Sequence, residues 1–167
     1  MRYRSFIVVM LASVASAPGN AGAQEATYSV RLMTPETALK AAQAALKSCR
    51  DAGYQVAVAV VARSGVAQVM LRDRYAGPHT PRMAIDKAWT AISFRTNTTD
   101  LARLTADGQP QSGVRHRQRV VSVGGGIVIE GAGSVLGGIG VSGAPGGDAD
   151  DVCAKAGISA IRDSIEF

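Results

Sequence analysis

The sequence predicts an α+β fold, one antiparallel sheet flanked by helices. Three observations predict it: alanine at helical spacing after a Thr-Pro start, a β-branched hairpin, and a glycine-broken run of short strands closing on a helix. With 167 residues, 47% of them hydrophobic, the chain is long enough to bury a core without help from metals.

Thr34-Pro35-Glu36 supplies an N-cap, a first-position proline and an acid in the first turn. Ala38, Ala41, Ala42, Ala45 and Leu46 then recur at helical spacing, and Gly53 is a natural stop after Asp51. Tyr54–Ala62 reads as a strand, Arg63-Ser64-Gly65 as a turn, and Val66–Arg72 as the returning strand. After the loop Tyr75–His79, Thr80-Pro81 repeats the cap signal and opens a second helix to Phe94. Thr98, Thr99 and Asp100 can cap a short third helix through Leu104, and Asp107 to Arg119 is a polar connection. Val120–Val123, Ile127–Glu130 and Ser134–Val141 read as short strands, and eleven of the nineteen glycines fall between Gly124 and Gly147. A last helix spans Asp148 to Ser164, with Asp148, Asp150 and Asp151 suited to its positive end.

Residues 1–23 have the pattern of a signal peptide: Arg2 and Arg4, the apolar run Phe6–Val14, and Ala21-Gly22-Ala23 before Gln24. The expectation is an exported protein, periplasmic or secreted, whose residues 24–167 form one domain. The apolar run is too short for a membrane span. Cys49 and Cys153 suit an oxidising compartment, where they are either bridged or two buried thiols. The net charge of +5 includes Arg2 and Arg4, and only 5% of residues are aromatic. That is too little charge and too little stacking surface for nucleic acid.

Few motifs survive inspection. Gly138–Gly143 fits GxGxxG, but Ala144-Pro145-Gly146-Gly147 separates it from any helix, so turn glycines are the better reading. Arg115-His116-Arg117 with Arg119 reads as a solvated basic loop. On the second helix, Met83, Lys87, Thr90 and Phe94 form one stripe beside the small residues Ala84, Ala88 and Ala91. Packing the alanines on the sheet leaves the other stripe for a cleft or a subunit interface. Met and Phe favour packing, whereas Lys87 and Thr90 need polar partners.

Tyr75-Ala76-Gly77-Pro78-His79-Thr80, Asp86-Lys87-Ala88-Trp89-Thr90-Ala91 and Gly137–Ala144 together resemble the GlcG/HbpS-type haem-binding family. Asp148–Ala154 looks like that family's closing helix start, so the similarity runs from Thr34 to Ile161. The resemblance implies a profilin-like fold, self-assembly into oligomers and binding of haem or a related tetrapyrrole. Exported relatives work in haem sensing or sequestration beside a membrane sensor. The chain departs from the family pattern at Ala62, at Arg74-Tyr75 and at Arg82–Asp86, where an acidic ExxE iron-binding pair is absent.

The resulting expectation is a haem-binding homo-oligomer without turnover, its site between the Tyr75–Thr80 loop and the second helix. His79 would offer imidazole to iron. Thr90 would ligate weakly or hold a water, Met83 and Phe94 would pack on the macrocycle, and Lys87 or Arg82 would pair a propionate. His116, between two arginines, is the lesser candidate. The alternative is an exported accessory protein or small enzyme acting on an organic acid in the same cleft.

Overall fold

The structure, a computed structural model, describes residues 26–166, so the signal-peptide pattern lies outside it. The elements are α1 (Pro35–Asp51), β1 (Ala57–Ala62), β2 (Ala67–Arg72), α2 (Thr80–Phe94), α3 (Thr98–Leu104), β3 (Gly126–Gly131), β4 (Ser134–Ser142) and α4 (Gly147–Ile165). One turn of 3-10 helix, Ser112–His116, interrupts the polar connection.

The four strands order as β2-β1-β4-β3, every pair antiparallel. The last hairpin therefore docks β4 beside β1. Helices α1 and α4 lie together on one face of the sheet and α2 covers the other. The α1–α4 face holds the main apolar core, with Ala41, Ala45, Val58, Val60, Ile139 and Ile161 buried in it. Cys49, late in α1, is disulfide-bonded to Cys153, early in α4, with Cα atoms 5.4 Å apart.

On the α2 face contact is made by backbone. A Cβ at Gly140 would run into the Ala84 carbonyl oxygen, and one at Gly138 would lie 2.8 Å from the Ala88 carbonyl oxygen. Glycine on β4 and alanine on α2 thus bring helix and sheet closer than side chains would permit.

Three sequence expectations need correction. The first strand begins at Ala57 rather than Tyr54, because the Tyr54 and Val56 amides donate to the Cys49 carbonyl and the Asp73 carboxylate instead of a ladder. Thr80 is the first residue of α2 rather than its cap: its hydroxyl turns back to donate to the Gly77 carbonyl at 2.8 Å. Val120–Val123 is not a strand. There the Thr90 hydroxyl donates to the Arg119 carbonyl and accepts from the Val121 amide, so an α2 side chain takes the place of a strand partner.

Candidate functional site

The loop between β2 and α2 is fixed at both ends. Buried Asp73 accepts from Arg50 Nε at 2.6 Å and from the Val56 amide at 3.2 Å. At the far end Thr80 is tied to Gly77, and Arg72 Nη2 donates to the Ala76 carbonyl within the loop. His79, the last residue before α2, is exposed, and its ring packs over Gly77. A loop tied this way presents His79 from a defined place.

A cavity of about 580 Å³ opens beside this loop. Its walls carry His79, Met83 and Lys87 from the α2 side, Tyr54 and Tyr75 from the loops, and the Ser142–Gly147 turn entering α4. The size falls within the range of ligand sites, roughly 300–1,000 Å³.

At the cavity wall lies an ion pair removed from water. Lys87 and Asp150 side chains are 3% and 4% exposed, and Lys87 Nζ stands 2.7 Å from Asp150 Oδ2. The same ammonium donates to the Val141 carbonyl at 3.0 Å, and Asp150 Oδ1 accepts from the Ala144 amide at 3.1 Å. Burial raises the Asp150 pKa above the ordinary carboxylate value, and the Lys87 charge and hydrogen bond pull against that rise. Next to it, Asp151 accepts from the Gly125 amide at 2.6 Å and from the Thr99 hydroxyl at 2.5 Å. A Cβ at Gly125 would come within 2.7 Å of Asp150 Cβ and 2.9 Å of Lys87 Nζ. Glycine is what lets α2, β4 and α4 converge on these charges.

The expected site residues separate into two sets. His79, Met83 and Lys87 come together on the cavity. Arg82 points away and pairs with Asp86 at 2.6 Å, while Arg119 reaches the other Asp86 oxygen at 3.1 Å and covers the Trp89 ring at 4.6 Å. Thr90 is fully buried with its hydroxyl engaged by the 119–121 segment. Phe94 lines a separate, smaller groove with Leu101, Leu104 and Val114. The helical stripe is therefore split along its length: Met83 and Lys87 meet the cavity, whereas Thr90 and Phe94 do not. His116 is exposed and away from the cavity.

Sequence reading missed Asp150, the Ser142–Gly147 turn and Tyr54. The acids at the start of α4 read as charges for the helix end, yet only Asp148 is exposed. A usable signal was present: a lysine on an alanine-rich packing helix requires a carboxylate once buried.

The model of the family described as haem degrading protein HbpS-like matches residues 33–159. Over 103 residues the chain is 32% identical to the corrinoid adenosyltransferase PduO of Citrobacter freundii, covering 60% of this chain and 31% of that protein. The chain thus spans about a third of the length of the curated relatives it matches. Among solved structures, a double mutant of HbpS from Streptomyces reticuli aligns with a TM-score of 0.76 at 37% identity, covering 88% of this chain and 98% of that one. A haem complex of PduOC aligns with a TM-score of 0.75 at 27% identity, covering 78% and 96% respectively.

Proposed function

The chain belongs to the HbpS-like family, and from that membership we propose that it is an exported protein that binds haem or a related tetrapyrrole, sequestering or sensing it. The observation that carries the proposal is His79, a ring-nitrogen donor on the wall of a cavity of about 580 Å³. The PduOC haem complex, an alignment over 78% of this chain, supports the ligand class.

The residues fit such a group. A tetrapyrrole brings its own four nitrogens to the iron, so the protein need supply only an axial donor, a flat contact surface and counter-charge. His79 would hold the iron, with Met83 and Tyr75 providing soft and aromatic contact. Among the described residues no group of three or more His, Cys, Asp or Glu is placed to hold a bare metal ion. Haem, when bound, supplies a redox-active iron; the chain's part is to fix its orientation and limit its contact with water.

Export rests on the signal-peptide pattern of residues 1–23 and is supported by the Cys49–Cys153 bond, which suits an oxidising compartment. Assembly into a homo-oligomer belongs to the same reading and is supported by Phe94 and Leu104, 37% and 55% exposed on one apolar groove. A membrane sensor is the partner this reading implies for haem sensing.

Titration with haemin, read at the Soret band, tests the ligand and the donor together. His79→Ala is expected to weaken binding by about tenfold or more and to shift the band, while His116→Ala leaves both unchanged. Unaltered binding by His79→Ala would move the axial donor elsewhere, and absence of any Soret change in the wild type would end the haem reading.

A further inference from the structure

The buried pair at the cavity wall deepens this reading, and the step rests on the cavity being a ligand site. We propose that Lys87 Nζ and the Ala144 amide form a two-donor cradle for a carboxylate of the ligand, in which the Asp150 carboxylate stands in for that group.

Packing does not require Lys87. Helix α2 meets the sheet through Ala84, Ala88 and Ala91, all fully buried, and an apolar side chain at position 87 would avoid the cost of burying an ammonium and its partner. Replacing a buried ion pair by apolar residues of similar volume is commonly neutral or stabilising. Yet the charge is present, on the wall of the cavity. The Asp150 carboxylate takes one oxygen to Lys87 Nζ at 2.7 Å and the other to the Ala144 amide at 3.1 Å. A charged donor and a neutral one are thereby spaced for the two oxygens of one carboxylate, and carboxylates are bound best in this two-point manner.

Asp150 is also suited to yield. Burial favours its protonated form and raises its pKa, and Asp151 beside it pushes the same way. The groups facing it are Lys87 from α2, the Ala144 amide from the turn after β4, and Asp151 on its own helix. An incoming carboxylate would replace one negative charge on Lys87 by another, with Asp150 taking up a proton or turning aside. The turn that supplies the amide contains Gly143, Gly146 and Gly147, so on that side the cavity is bordered largely by main chain. The ligand class is thus a carboxylate, either an arm of a tetrapyrrole or a free organic acid.

Haemin and haemin dimethyl ester share ring and iron and differ in carboxylate charge, so their affinities read the cradle directly. The wild type is expected to prefer haemin by about tenfold. Lys87→Gln should erase that preference. Asp150→Asn, which keeps the shape and removes the competing charge, should enlarge it. Equal affinity for acid and ester in the wild type, or an unchanged preference in Lys87→Gln, overturns the proposal. If Lys87→Gln does not fold, Asp150→Asn decides alone, and no enlargement overturns it. If neither haemin form binds, the haem reading fails by itself. The cradle is then judged by sodium propionate followed at the Ala144 amide by NMR. A saturable shift that Asp150→Asn strengthens sustains it with a free acid as ligand, and no shift overturns it.

Discussion

The two faces of the sheet are held by different physics. Between α1, α4 and the sheet, side chains fill the space: Val58, Val60, Ile139 and Ile161 are fully buried, and the Cys49–Cys153 bond ties the two helices together. On the α2 face the apolar cluster shrinks to Ala57, Ala59 and Ala84 with Ile85 packed against it. Its remaining buried groups include Lys87, Thr90, Thr98 and Asp86. One face is built from bulk and the other from close backbone approach and fixed polar contacts. Side-chain packing adjusts to small changes, whereas carbonyl oxygens and charges must be met where they stand. The cavity opens on the side with fixed positions.

Breaking the covalent tie should give the largest effect. The disulfide closes a loop with a sequence separation of 104, and loops of that length stabilise by about 4–5 kcal/mol in the chain-entropy model. The Cys49→Ala, Cys153→Ala protein should lose about that much in urea unfolding and still bind ligand, because neither cysteine lines the cavity. Loss of ligand binding in the folded double variant would show that the faces are coupled.

The next effect belongs to the other face. Gly140→Ala places a methyl against the Ala84 carbonyl oxygen, backbone against which no rotamer change helps. The expected cost is about 3 kcal/mol, and because α2 must shift, the His79 and Lys87 positions move with it. Gly113→Ala, with open space around it, is the control and should stay within about 0.5 kcal/mol of wild type. Equal stability for the two variants would mean that α2 is free to ride outward.

The contrast between faces also explains what the sequence makes legible. The helices α1 and α4 and the β1–β2 hairpin announce themselves through periodicity and caps, since their packing is carried by side chains at regular spacing. The α2 alanine stripe is legible for the same reason. The polar contacts are long-range and leave no local trace: Lys87 and Asp150 lie 63 positions apart, and Thr90 and Val121 lie 31 apart. Hence Val120–Val123 reads as a strand from its composition, although a threonine hydroxyl occupies its backbone. The acids Asp150 and Asp151 read as helix-end charges although each is pinned to a distant element. At the cavity His79 and Met83 are legible through loop and helix position, while Thr90 is buried against the 119–121 segment and Phe94 lies exposed on a separate groove, neither of which spacing alone reveals.

The smallest expected effect is a pH dependence, and its sign distinguishes this pair from an ordinary salt bridge. A carboxylate stabilised by a cation has a lowered pKa in the folded protein, so its contribution is lost as pH falls. Asp150 is shifted upward, burial outweighing the attraction of Lys87. Its folded form therefore binds a proton more tightly than the unfolded chain does. The contribution is full below the ordinary carboxylate value and declines as pH rises through the raised one. Urea midpoints measured across that interval for wild type and Asp150→Asn isolate the group, since other titrations are common to both proteins. The wild type should gain on the variant as pH falls. A gain in the opposite direction would mean that the attraction of Lys87 exceeds the cost of burial. Asp150 would then be a firmly held structural partner, poorly suited to give way to a ligand's carboxylate.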